Sequence, residues 1–210
     1  MRSFSPPLLV YMTALSTLSS NPNIYVHENT PRPSTHTLSL LPTSPPLPSL
    51  SLGTTTALPP TPRTFAENRA FHAILSTVLR RHARADPFAR SQAAALASPG
   101  GLSLGSPTWQ DSAGGASAQG GAGGAGVGGW IHVSDLRNPP DWGRVAWPED
   151  ILGSLEVDAN GRFVGQDGNW QESGTYRVCT NEGILGLSPF LVEKLVEHLK
   201  MLDAQERAKA

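Results

Sequence analysis

The sequence predicts an α+β fold: a small antiparallel sheet covered by a C-terminal helix, preceded by a helical hairpin, a Gly-rich linker and a disordered N-terminal tail. Three observations predict it. Apolar residues recur at helical spacing behind Ser188-Pro189, short period-two runs bounded by turn residues fill residues 130–187, and Pro and Gly concentrate outside both. The expected organisation is a Pro/Ser/Thr-rich tail over 1–63, a hairpin over 64–98, a Gly/Ala-rich linker over 99–129 and an α+β domain over 130–207.

The tail and linker are assigned by composition. The chain has 210 residues with 21 Gly, 19 Pro and 39% hydrophobic residues, most of the Pro before Arg63 and much of the Gly between Pro99 and Gly129. Such stretches bury too little apolar surface to offset the entropy of ordering. Pro45-Pro46-Leu47-Pro48 and Pro59-Pro60-Thr61-Pro62 favour extended polyproline conformations, a candidate ligand for SH3 or WW surfaces, although a solvated tail explains them as well. The apolar run over 8–18 is too short to span a bilayer. With Arg2 before it and Ala14-Leu15-Ser16 as a poor cleavage site it resembles a signal-peptide core. The tail is also poor in acids until Glu28, as a mitochondrial presequence would be, but short of arginine. Localisation leans intracellular, with mitochondrial import open.

Order is expected from Thr64, which forms a capping-box pattern with Glu67. Phe71, Ile74, Leu75, Val78 and Leu79 then share one helical face, and Arg80, Arg81 and His82 complement the dipole at its end. Asp86-Pro87 starts a second helix that Ser98-Pro99-Gly100-Gly101 stops. In the linker, Gly121-Ala122-Gly123-Gly124-Ala125-Gly126 matches G-x-G-x-x-G by letter. It lacks the preceding strand and following helix that a dinucleotide site needs, so no cofactor is expected.

Trp130-Ile131-His132-Val133 reads as a strand, and residues 134–148 as an ordered loop broken by Asn138-Pro139-Pro140-Asp141 and Trp147-Pro148. A second strand covers 151–157. Asp158-Ala159-Asn160-Gly161 turns it back through Arg162-Phe163-Val164, Asn-Gly supplying positive φ values. The same four residues look like the opening of a calcium loop, but Phe163 and Asn169 stand where that loop needs glycine and an acid, and no metal site is expected. Residues 175–180 form the clearest strand, with Tyr176 and Val178 on one face and Arg177 and Cys179 on the other. Ser188 caps the last helix. Its stripe of Leu191, Val192, Leu195, Val196, Leu199 and Leu202 should cover the sheet.

A net charge of -1 gives no reason to expect nucleic acid or an anionic membrane as partner. The charge is uneven, arginine-rich over 66–90 and acidic over 130–187, which suggests mutual attraction. Cys179 is the single cysteine, excluding an intrachain disulfide and a Cys-based zinc cluster. His132, Asp135 and Cys179 are the weak candidates for a catalytic set, against the plainer expectation that Cys179 is core.

The tryptophans are the least ordinary feature. Trp130, Trp142, Trp147 and Trp170 crowd a short domain, either as core filler or, for those in Pro-rich loops, as interface anchors. Trp142, Arg144, Trp147, Glu149 and Asp150 are the candidate binding residues, with Asp141, Arg144, Glu149 and Asp150 as a polar rim. The blocks Pro139-Pro140-Asp141-Trp142-Gly143-Arg144, Pro148-Glu149-Asp150-Ile151, Ser173-Gly174-Thr175-Tyr176-Arg177 and Gly183-Ile184-Leu185-Gly186-Leu187-Ser188 resemble uncharacterised proteins of filamentous fungi. That resemblance covers the last third of the chain and implies no activity. The function expected is a non-enzymatic protein interaction or assembly module binding another protein; the alternative is a small hydrolase or transferase using loop residues.

Overall fold

A computed structural model describes residues 16–29, 34–97, 128–141 and 144–209. It is α+β, with antiparallel sheets and a long C-terminal helix. From residue 16 the chain builds a five-stranded antiparallel meander in sequence order: β1 (Ser16–Leu18), β2 (Asn21–Glu28), β3 (His36–Ser39), β4 (Gly53–Thr55) and β5 (Phe65–Glu67).

The expectation of a disordered tail is thereby corrected for all described residues before Thr64. Composition misleads because of where the prolines fall. Pro45, Pro46, Pro59, Pro60 and Pro62 lie in connections, and Pro48 opens a 3-10 turn (Pro48–Leu50), so their missing amides remove no ladder bond. Pro22 lies in β2, at a register shift where Thr17 opposes Tyr25 but Leu18 opposes Asn21. Ile24, Val26, Leu38, Leu40, Leu41, Leu50 and Leu52 are meanwhile buried. Of the apolar run over 8–18 read as a targeting core, Ser16–Leu18 form β1, and the remainder lies outside the described residues.

The capping box is replaced. Glu67 ends β5, and Asn68 caps α1 (Arg69–His82) by accepting from the Ala70 amide at 3.0 Å. Its Nδ2 donates to the carbonyls of Pro48 at 2.8 Å and Ser51 at 2.7 Å, fastening the helix start to the connection between β3 and β4. Phe71, Leu75, Val78 and Leu79 form the buried face as predicted. Asp86 then starts α2 (Pro87–Ala97), accepting from the Phe88 amide at 3.4 Å. The glycine run of the linker lies outside the described residues.

The second sheet is β6 (Gly129–Ser134), β7 (Ile151–Val157) and β8 (Gln171–Glu172), all antiparallel. In the turn after β7 only Gly161 takes a positive φ, 77°, and the Asp158 carboxylate accepts from the amides of Asn160 and Arg162, both at 2.8 Å. Among the described residues no cluster suited to a metal ion occurs. The expected strand over 175–180 shrinks to β9 (Cys179–Thr180), paired with β10 (Gly183–Ile184). Ser188 caps α3 (Pro189–Lys209), its Oγ accepting from the Leu191 amide at 3.2 Å.

One apolar core joins residues from both sides of 98–127, from Leu18 to Leu199. α3 packs on α1 and the 3-10 turn, and α2 lies on β6. Packing therefore does not follow the boundaries drawn from composition. Among the described residues no ion pair links the arginines of 69–90 to the acids of 130–187. The two parts are joined by the core and by hydrogen bonds: Ser188 donates to Asp86 at 3.0 Å, and Ser76 to Glu172 at 2.7 Å. No described helix is long and apolar enough to cross a membrane.

The ends of the 98–127 segment meet in space. A Cβ built on Gly129 would lie 3.6 Å from Leu96, and one on Gly161 3.1 Å from Ala97. Replacing residues 98–127 by about five Gly/Ser residues should therefore preserve the fold and stabilise it by about 1–2 kcal/mol through the shorter closed loop. Chemical denaturation checks this; a collapsed midpoint would show that the segment contributes to the core.

Candidate functional site

The site is organised by a residue whose sequence context carries little signal. Arg137 follows β6 in the loop, and its side chain is 3% exposed. Its Nε donates to Asp150 Oδ1 at 2.7 Å, Nη1 to the Val178 carbonyl at 2.9 Å, and Nη2 to the carbonyls of Glu149 at 3.0 Å and Arg177 at 2.7 Å. The guanidinium carbon lies 5.4 Å from the centre of the Tyr176 ring. Burial opposes its charge, but Asp135, Tyr176 and Asp150 outweigh this and hold its pKa above the ordinary value.

Asp135 completes the cluster. It has no solvent exposure; Oδ1 accepts from the amides of Arg137 and Gly186, both at 2.9 Å, and Oδ2 from the Tyr176 hydroxyl at 2.8 Å. Gly186 is required by closeness: a Cβ there would lie 2.7 Å from the Arg137 nitrogen and 2.9 Å from Asp135 Oδ1. Burial first, then the Asp135 charge, pushes the Tyr176 hydroxyl well above its ordinary pKa, so it stays a donor.

This cluster explains the lost strand. The Arg177 and Val178 carbonyls face Arg137, the Val178 amide donates to Glu67 Oε1 at 3.0 Å, and the Arg177 amide donates to the Glu149 carbonyl at 3.1 Å. Side chains and a loop stand where a neighbouring strand would. Between the 177–181 segment and the start of α1 lies a cleft of about 430 Å³, lined among others by Glu67, Arg69, His72, Glu149, Arg177 and Cys179. Glu67 Oε2 is 3.0 Å from His72 Nε2. Burial works to raise the Glu67 pKa, but His72 and the Cys179 and Val178 amides hold it below the ordinary 4.5. A second hollow of about 510 Å³, lined by Trp147, Pro148, Glu149, Gly174, Thr175 and Arg177, shares Glu149 and Arg177 with the cleft.

The proposed catalytic set is not brought together. Ile131, Val133 and Asp135 are buried on one side, while His132 points to the other and meets Ser154 Oγ at 2.9 Å. Asp135 is committed to Tyr176 and two amides, and Cys179 lines the cleft beside Glu67 and His72 instead. Cys179 is buried, and burial pushes its thiol up despite the Arg137 charge, the opposite of what a nucleophile needs.

Of the candidate binding residues, Trp147 is 69% exposed and Arg144 and Glu149 are exposed, but Asp150 is not on the rim: it is fully buried under Arg137. Trp142 lies outside the described residues. Trp170 is core, against Gly153, where its ring leaves no room for a Cβ. Glu67, His72, Arg137 and Tyr176 were missed. A weak signal for Arg137 existed in a charged Asp-x-Arg directly after a strand, with Glu149-Asp150 directly before the next.

Arg137→Met should destabilise the protein by about 3–5 kcal/mol, because Asp135 and Asp150 would stay buried without their cation. Arg137→Lys should rescue little, since an ammonium cannot reach these diverging acceptors together. An unchanged denaturation midpoint in both variants would refute this. Glu67 makes a pH-dependent contribution. A lowered folded pKa means stability present above about 4.5 and lost as pH falls through the lowered value. Glu67→Gln should therefore be less stable at pH 7, and its deficit should close in acid; a deficit constant with pH would contradict the assignment.

The chain matches no family model, no curated protein and no solved structure, so the role of this site rests on its geometry.

Proposed function

We propose that the protein is a non-enzymatic interaction module that docks another protein on the surface formed by Trp147, Pro148, Glu149 and Arg177. The observation that carries this is Trp147, a large aromatic side chain 69% exposed on a backbone held from several directions. Its carbonyl accepts from the Asp150 amide at 2.8 Å, the Pro148 carbonyl from Thr175 Oγ1 at 2.7 Å, and the Glu149 carbonyl from Arg137 and the Arg177 amide. Val145, two residues before it, is exposed as well. An aromatic side chain on a held backbone has only its own two torsions to order on binding and offers much apolar contact, the property of interface anchors. An enzymatic reading through Cys179 is disfavoured by the burial that pushes its thiol up.

Trp147→Ala should leave stability within about 0.5 kcal/mol, as for an exposed position. Recovery of partners bound by the wild-type protein should fall about tenfold or more, the loss expected of an anchor. Affinity purification with quantitative mass spectrometry, alongside a melting curve, measures both. Equal recovery of every partner by the variant would defeat the assignment, as would outright unfolding.

A further inference from the structure

We propose that the outer edge of β6 is a self-association surface, on which β6 of a second copy pairs antiparallel and joins two three-stranded sheets into one. β6 is an edge strand, with β7 on one side only. Register shows which of its backbone groups are left over. The Glu156 amide donates to the Gly168 carbonyl at 2.7 Å and its carbonyl accepts from the Val164 amide at 3.0 Å, so Glu156 faces away from β6. Leu155 and Val157, on either side of it, therefore turn their groups to Ile131 and Gly129, and the amides and carbonyls of Trp130 and His132 point outward. Among the described residues none of these four groups has a hydrogen-bond partner.

Length and chemistry single out this edge. Exposed edges are ordinarily kept short or guarded by charge or proline. β1 and β5 have three residues each and β8 two, whereas β6 has six, Gly-Trp-Ile-His-Val-Ser, with no proline and no acid, lysine or arginine. The irregularity between Val133 and Ser134 puts the extra residue, Leu152, on β7 and leaves residues 129–133 regular.

Unpaired donors and acceptors at strand spacing select an extended backbone, and the same edge on a second copy supplies one. With a twofold axis at Ile131, Trp130 of each copy exchanges hydrogen bonds with His132 of the other, so all four outward groups are satisfied on both. Trp130 then stands opposite the imidazole on one face, an aromatic pair of the kind that stabilises antiparallel strands. No like charges meet across the axis: burial holds the His132 pKa below its ordinary value, and the chain's net charge is only -1. Phe88, 53% exposed, lines a hollow of about 180 Å³ with Val133 and Ser134, so apolar surface borders one end of the edge. None of this rests on the docking surface at Trp147.

Sedimentation equilibrium of the purified full chain, from micromolar to millimolar concentration, should show a monomer–dimer equilibrium. His132→Pro removes an outward amide and no bond to β7, so it should fold and weaken the dimer about tenfold or more, the amide being lost from both copies. His132→Ala keeps that amide and should weaken the dimer less; an equal loss would place the contact in the imidazole and overturn backbone pairing. Amide exchange followed by NMR on the unaltered chain reads the pairing without a variant: Trp130 and His132 should gain protection as concentration rises. A chain that stays monomeric throughout, a dimer whose Trp130 and His132 amides gain no protection, or a dimer dissolved by Trp147→Ala would overturn the proposal.

Discussion

The Arg137 guanidinium is the contact on which the rest of the site depends. It donates to three carbonyls from two loops and to one carboxylate, and it lies beside a second carboxylate and the Tyr176 ring. Neither loop has a regular ladder there. Backbone carbonyls need donors, and a side chain with five N–H groups in a fixed plane supplies several at once; the Val178 and Glu149 carbonyls also accept the amides of Leu185 and Arg177. Asp150 Oδ2 is buried without a hydrogen-bond partner, so the adjacent guanidinium charge is its chief compensation.

That arrangement shapes the surface. The loop bearing Trp147 and the segment bearing Arg177 form the walls of the hollow, and Arg137 bonds to both from beneath. Glu67 adds a third tie, from the first sheet to Val178, so a strand of the N-terminal meander braces the wall of a cleft made largely by the C-terminal third. Folding of residues 16–67 is in this way coupled to the geometry of residues 147–181.

The legible parts of this fold were those with local signals. α1 was visible from its apolar stripe, although Asn68 and not Thr64 caps it, α2 from its start and stop residues, α3 from stripe and cap together, and the β7 turn because Asp158 to Gly161 carry their own geometry. The five-stranded meander was not. Its strands are mostly three or four residues long, its alternation is brief, and the prolines between them dominate any window wide enough to average. The strand over 175–180 shows the opposite failure: Tyr176 and Val178 alternate as strand residues do, yet the backbone partners include the side chains of Arg137 and Glu67 and the Glu149 carbonyl. Of the site, Trp147 and Glu149 were legible from Pro-rich loop chemistry, whereas Asp150 looked like rim because nothing local reveals that a distant arginine buries it.

The same contrast bears on how the surface can vary. Charges in the Arg137 cluster are mutually dependent, so losing one strands the others at low dielectric and damages the fold. Arg69, Arg177, Glu149 and Trp147 have no such obligations: their side chains project from backbone that other residues hold. Substitutions among them should cost the fold little, while the platform stays fixed. The division lies within single short segments, between Asp150 and Glu149 and between Tyr176 and Arg177, where one neighbour is committed inward and the other outward. Specificity on such a surface would be set by the outward members alone, within a geometry imposed by the inward ones.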